Sequence, residues 1–208
     1  MTNSSNIHPI FERVAGRDEK EALHGQRARV IWFFGLSGSG KSTLANALER
    51  KLMEEGRATC LLDGDNLRTG LNRGLGFTDA DRAENIRRVA EVSRLFLDAG
   101  LICINSFITP LEEHRRIARS ILGEDLLLVH VRCSFETCAA RDVKGLYRKA
   151  REGGVENFTG KDAGFDEPGD VDLTLSTEGV PLTTSLQRVY DWVRPTLEPA
   201  GPSSPINQ

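Results

Sequence analysis

Val30-Ile31-Trp32-Phe33-Phe34, then Gly35-Leu36-Ser37-Gly38-Ser39-Gly40-Lys41-Ser42-Thr43, then Leu44-Ala45-Asn46-Ala47-Leu48: the reading of this passage decides the fold. An apolar run that ends on a glycine reads as a buried parallel strand, and Leu44, Leu48 and Leu52 recur every fourth residue, as on the buried side of a helix. The nine residues between them turn a strand into a helix, and their G-x-x-x-x-G-K-S pattern is that of a phosphate-binding loop. Gly35, Gly38 and Gly40 carry no Cβ, so successive N–H groups can converge on one anion. The helix N-terminus behind them adds unpaired donors and about half a positive charge. Lys41 can then reach the β- and γ-phosphates of a nucleoside triphosphate, and the Ser42 hydroxyl can join a Mg²⁺ shell made mostly of phosphate oxygens and water. A merely flexible Gly-Ser loop is the competing reading; the complete pattern in its strand-loop-helix setting argues against it.

The rest of the chain repeats the alternation. The first helix is expected to stop at Gly56, and Thr59-Cys60-Leu61-Leu62 reads as a short strand running into Asp63-Gly64-Asp65-Asn66. Two carboxylates thus stand at the end of a strand, the edge where open parallel sheets hold ligands, although Asp-Gly-Asp is also turn chemistry. Thr78-Asp79-Ala80-Asp81 caps a long helix ending at Gly100, Leu101-Ile102-Cys103-Ile104 is a third strand, and a helix is expected over 112–122. Leu126 to Val131 forms a fourth strand, Ser134 caps the next helix, Asp172-Leu173-Thr174-Leu175 is a fifth strand, and a final helix follows Pro181. The expected architecture is α/β, a mostly parallel five-stranded sheet flanked by helices. Residues 26–194 make the domain; 1–25 form a polar segment with no apolar face, and 195–208 a Pro/Ser-rich tail expected to be disordered. Between 141 and 169, basic residues interleave with glycines, which suits either a mobile basic lid or a solvated charged helix and loop.

A chain of 208 residues with a formal net charge of -3 suits one domain without a broadly basic nucleic-acid surface. No apolar run approaches the roughly 20 residues of a membrane span and no signal-peptide pattern opens the chain, so a cytoplasmic location is expected. Cys60, Cys103, Cys133 and Cys138 lack C-x-x-C spacing and read as packed, reduced thiols.

The loop identifies a nucleotide and leaves the reaction open. No Asn-Lys-x-Asp guanine reader occurs, and the third strand runs into Asn105-Ser106 where motor ATPases carry an acid. The acids stand instead at Asp63 and Asp65, an arrangement suited to a kinase for a small hydroxyl substrate: one carboxylate accepts the hydroxyl proton and the other orders metal-bound water. A kinase for another small hydroxyl compound and a nucleotide-binding regulatory module are the alternatives.

Taken together, several segments resemble the adenylylsulfate kinases. They are His24-Gly25-Gln26, the phosphate loop, Leu62-Asp63-Gly64-Asp65-Asn66-Leu67-Arg68, Gly70-Leu71-Asn72-Arg73, Leu75-Gly76-Phe77 and Asp81-Arg82 with Glu84-Asn85-Ile86-Arg87-Arg88. Ala99-Gly100-Leu101-Ile102, Arg141-Asp142-Val143-Lys144-Gly145-Leu146-Tyr147 and Asn157-Phe158-Thr159-Gly160 complete the set, which spans about 24–190. The resemblance implies a P-loop kinase fold and transfer of the γ-phosphoryl of ATP to the 3′-hydroxyl of adenosine 5′-phosphosulfate, with Mg²⁺. It also implies a homodimer and a sulfate adenylyltransferase as a potential partner.

The resemblance also places roles. Asp63 is the expected general base, with Asp65 supporting metal and substrate; Lys41 and the lid residue Lys144 neutralise phosphate charge. Arg68, Arg82 and Asn85 bind the phosphosulfate and adjoining sugar, Phe77 and Phe158 hold the substrate adenine, and Phe107, Ile108 and Leu146 complete the acceptor wall. Arg141 packs on the adenine of ATP. Two positions depart from the family pattern: Thr69 replaces a frequent His, and Thr109 replaces a Ser described as accepting a phosphoryl group. With no adjacent base in the sequence and no need for a covalent step, Thr109 is expected to contact substrate, with phosphoryl acceptance a minor alternative.

Overall fold

The computed structural model describes residues 8–10, 13–154, 159–160 and 163–199. Its centre is β1 (Val30–Phe34), every residue of which is buried. Side chains alternate across a strand, so Val30, Trp32 and Phe34 enter one apolar cluster while Ile31 and Phe33 enter another on the opposite face. A strand buried on both faces has no polar side, which is why it reads as a continuous apolar run. The other strands are β2 (Thr59–Asp63), β3 (Ile102–Ser106), β4 (Leu126–Arg132) and β5 (Leu173–Ser176). All pair in parallel, in the order β2-β3-β1-β4-β5.

Helices cover both faces. The helices in chain order are α1 (Arg17–His24), α2 (Lys41–Glu54), α3 (Gly64–Arg68), α4 (Asp79–Asp98), α5 (Glu112–Leu122), α6 (Phe135–Arg141), α7 (Leu146–Arg151) and α8 (Leu182–Val193). Ile86, Val89, Ala90 and Leu97 of α4 pack with Ala118 and Leu122 of α5 over Trp32 and Phe34. Leu44, Leu48 and Leu52 of α2 pack with Val189 and Val193 of α8 over Ile31 and Phe33. Because β1 lies between β3 and β4, the chain leaves it in opposite directions, and the crevice at its C-terminal end is where an open parallel sheet binds ligands. No helix among the described residues is long and apolar enough to cross a membrane.

Several expectations need correction. The polar segment 1–25, left without an element, contains α1, which buries none of its own residues and is held by polar ties. Arg17 forms 2.5 and 3.0 Å contacts with the Asp125 carboxylate and donates to Ala28 O at 2.7 Å, while Lys20 donates to Asp98 O at 2.9 Å. The tail is ordered further than 195: Arg194–Leu197 forms a 3₁₀ turn with Leu197 buried in the core. β3 also runs two residues further, because Asn105 is satisfied inside the protein by donating to Ser93 Oγ at 2.8 Å. All four cysteines are free, as read.

Candidate active site

Gly35 opens the phosphate loop with φ +146, and a Cβ there would lie 2.5 Å from Val131 O on β4, so only glycine fits. Its N–H donates to Ile108 O at 3.2 Å, tying the loop to the segment after β3. The next four carbonyls are each engaged by a side chain. Lys41 Nζ donates to Leu36 O at 2.7 Å, Tyr147 Oη to Ser37 O at 2.7 Å, Arg141 Nη1 to Gly38 O at 3.3 Å and Thr177 Oγ1 to Ser39 O at 2.7 Å. Engaging these carbonyls holds the loop in one conformation, which a main-chain anion site requires. Burial, reinforced by the charge of Lys144, lowers the Lys41 pKa to about 8.

The carboxylates come next. Asp63 ends β2 and caps α3 by accepting from Asp65 N at 3.0 Å, while its other oxygen accepts from Ser42 Oγ at 2.7 Å. Ser42 Oγ also lies 3.1 Å from Ser106 Oγ at the end of β3. Asp65 pairs across the cleft with Lys144. Lys144 lies in the loop between α6 and α7; there Asp142 accepts from Tyr147 N at 2.9 Å and Arg148 N at 3.0 Å, which fixes the start of α7. The basic segment thus contains a short helix anchored on the phosphate loop by Tyr147.

A cavity of about 470 Å³ continues from the loop to the first turns of α4 and α5. Lys41, Ser42, Asp63, Asp65, Lys144 and Leu146 line it together with Arg68, Phe77, Arg82, Asn85, Phe107, Ile108 and Thr109. Arg68 donates to Leu75 O at 2.8 Å and lies 4.3 Å from the Phe77 ring centroid; Arg82 donates to Phe77 O at 3.0 Å. Burial lowers the pKa of both guanidinium groups, and the charge of Arg68 lowers that of Arg82 further. Two partly desolvated cations side by side form a site for an anion. Phe77 is 53% exposed, an apolar plate open to the cavity, and Asn85 Oδ1 is positioned by Asn72 Nδ2 at 3.0 Å.

Thr109 differs from its neighbours. Its hydroxyl accepts from Trp32 Nε1 at 2.9 Å, the residue is 1% exposed, and its φ is +43, an unfavourable value for a β-branched residue. The backbone there is clamped by Arg115, which donates to Thr109 O at 3.3 Å, Pro110 O at 3.1 Å and Asp166 O at 3.2 Å. Of the residues expected at the site, Gly35, Leu36, Ser39 and Arg141 stand outside the cavity lining, Arg141 bonding Gly38 and Thr177 instead; Phe158 lies outside the described residues. Ser106, Tyr147, Thr177, His114 and Arg115 were not singled out by the sequence reading.

Comparisons with known proteins show which family the chain resembles. The family described as adenylylsulphate kinase matches residues 27–176. An adenylyl-sulfate kinase of Bacteroides thetaiotaomicron is 50% identical over 95% of this chain and 99% of its own. The solved structure of the APS kinase CysC of Mycobacterium tuberculosis, in complex with AMPPNP and APS, is 44% identical, with a TM-score of 0.78, over 81% of this chain and 98% of that one. The bifunctional enzyme NodQ of a Rhizobium species is 48% identical over 93% of this chain and 30% of its own length.

Proposed function

The chain belongs to the adenylylsulphate kinase family, and from that premise we propose how its cleft divides the work of the reaction. The enzyme transfers the γ-phosphoryl group of ATP to the 3′-hydroxyl of adenosine 5′-phosphosulfate, giving 3′-phosphoadenosine 5′-phosphosulfate. The observation that carries the assignment of roles is the single cavity that joins Lys41 and Ser42 to Asp63 and to the Arg68–Phe77–Arg82 wall.

Residues 35–43 hold the triphosphate through main-chain N–H groups and Lys41, and Arg141 covers the adenine of ATP. Arg68 and Arg82 take the phosphosulfate oxygens, Asn85 the sugar, and Phe77 the adenine of the acceptor, with Phe158 as the second plate. Phe107, Ile108 and Leu146 complete the wall. Asp63 accepts the 3′-hydroxyl proton as the new oxygen–phosphorus bond forms and the bond to the β-phosphate oxygen breaks, releasing ADP. Lys41, joined by Lys144 on exchanging Asp65 for phosphate, balances the charge on the transferring group. Transfer is direct, because the Thr109 hydroxyl is engaged with Trp32 Nε1 and the reaction requires no covalent step on the protein.

The residues fit a Mg²⁺ ion: the Ser42 hydroxyl and the Asp65 carboxylate are hard oxygen donors that line the same cavity, Asp65 reaching the ion through water. No group of three or more His, Cys, Asp and Glu that could cage a metal occurs among the described residues, so the protein would supply one or two ligands and the phosphates and water the rest. The ion would neutralise charge on the β- and γ-phosphates.

On the family resemblance we also infer a cytoplasmic homodimer, checked by light scattering in solution. The 30% share that this chain matches in a bifunctional relative supports a partner activity, which we take to be the sulfate adenylyltransferase that makes the acceptor. Incubation with Mg-ATP and adenosine 5′-phosphosulfate tests the assignment. ADP and 3′-phosphorylated product should appear in equal amounts; ADP formation indifferent to the acceptor would overturn it.

A further inference from the structure

Arg115 of α5 has no part in the scheme above and is not among the residues that line the cavity, yet this charged side chain is 2% exposed. Its counter-ion is Glu112 at 2.9 Å, and its guanidinium lies 5.2 Å from the centroid of the Phe34 ring. The remaining donors go to main-chain carbonyls: Thr109 O at 3.3 Å, Pro110 O at 3.1 Å and Asp166 O at 3.2 Å. A buried ion pair adds little net stability, because desolvation offsets its attraction. A rigid planar fork spread over three carbonyls supplies geometry instead.

The geometry it holds is strained. Thr109 has φ +43, in the left-handed region that a β-branched residue avoids. Such strain persists only where the surroundings over-determine the conformation. Here Trp32 Nε1 donates to the Thr109 hydroxyl at 2.9 Å, Asp166 N donates to Pro110 O at 3.0 Å, and Glu112 N donates to the Asp166 carboxylate at 2.8 Å, so the turn is braced on both sides of Arg115. Thr109 is the middle residue of the strip Ile108, Thr109, Pro110, and all three line the cavity. A relaxed φ at Thr109 would redirect the chain through that strip and redraw the wall.

We infer that Arg115 is a positioning residue: it holds the strip 108–110 in the left-handed turn that shapes the cleft for the acceptor nucleotide, and so sets the affinity for adenosine 5′-phosphosulfate without touching it. This rests on the acceptor site proposed above.

The test pairs a change at Arg115 with changes at the residue it acts through. Arg115→Lys keeps the buried charge and replaces the planar fork by one ammonium group. It should raise KM for adenosine 5′-phosphosulfate about tenfold, with KM for ATP unchanged. Glycine takes a positive φ without strain and alanine does not. Arg115→Lys should therefore still cost about tenfold in a Thr109→Ala background and less than about threefold in a Thr109→Gly background. Both backgrounds lack the hydroxyl, so loss of the Trp32 bond cancels between them. A role in fold stability alone would lower the melting temperature without this difference in KM. The inference is overturned if Arg115→Lys binds the acceptor as the wild type does, if KM for ATP rises in step, or if the loss is equal in the two backgrounds. Thr109→Ala and Thr109→Gly with Arg115 in place decide the matter even where Arg115→Lys does not fold. The intact clamp dictates the turn for either residue, so their KM values for the acceptor should agree within about twofold, and a gap of about tenfold overturns the inference. Turnover of adenosine 5′-phosphosulfate by the wild type separates these outcomes from failure of the functional assignment.

Discussion

The two halves of the cleft are made differently: the triphosphate half from main chain, the acceptor half from side chains. In the first, consecutive carbonyls from Leu36 to Ser39 are tied back by Lys41, Tyr147, Arg141 and Thr177, which holds the main chain in the loop's conformation. In the second, Arg68 comes from α3, Phe77 from the loop before α4, Arg82 and Asn85 from α4 and His114 from α5. A main-chain site depends on conformation, so most substitutions reach it only through a glycine or a supporting side chain. A side-chain site can be altered one contact at a time. Changes in the first half should therefore act on turnover and ATP together, and changes in the second on the acceptor alone.

Lys41→Ala is the severest test of that division. Removing the buried cation that faces the transferring phosphate should lower kcat by about 10³-fold, and steady-state kinetics showing less than a tenfold loss would end the claim that the first half stabilises the transition state. Asp63→Asn comes next, with kcat reduced by about 10²–10⁴-fold and ATP affinity by calorimetry almost unchanged. Collapse of ATP affinity would instead make Asp63 a metal or structural residue, a real alternative given its bond to Ser42. Arg82→Ala should raise KM for adenosine 5′-phosphosulfate about 10–100-fold through loss of a charge-assisted contact, leaving KM for ATP alone; a matching rise in KM for ATP would show that the halves are not separable. The smallest effect is on pH dependence. Lys41 is charged below about 8 and loses its proton above it, so kcat/KM for ATP should fall as pH rises through about 8. Lys41→Arg should move that limb to higher pH, and an unmoved limb assigns it to another group.

The phosphate loop was legible because its chemistry is contiguous: nine adjacent residues, flanked by apolar patterns that identify a strand and a helix. The acids at Asp63 and Asp65 were legible by position, at the end of a strand. The acceptor wall came from family resemblance, since the spacing of Arg68, Phe77 and Arg82 has no meaning until α3 and α4 are folded. α1 was missed because its ties run from Arg17 to Asp125 and from Lys20 to Asp98, polar contacts that no apolar periodicity announces. α3 and α7 are too short for periodicity and depend on the carboxylates of Asp63 and Asp142. Leu197 looked like tail because a single buried leucine among prolines makes no pattern. His114 did leave a signal, a polar residue at the head of the i, i+4, i+8 series with Ala118 and Leu122.

A main-chain contact also joins the halves. The N–H of Gly35 reaches the carbonyl of Ile108, and its Cα is pressed against that of Val131, where no side chain has room. The gap a phosphoryl group must cross is thus set in part by main chain, where Gly35 meets Ile108. Over evolutionary time the pocket's side chains can be exchanged for others, and a new acceptor would still be presented at the same reach from the donor.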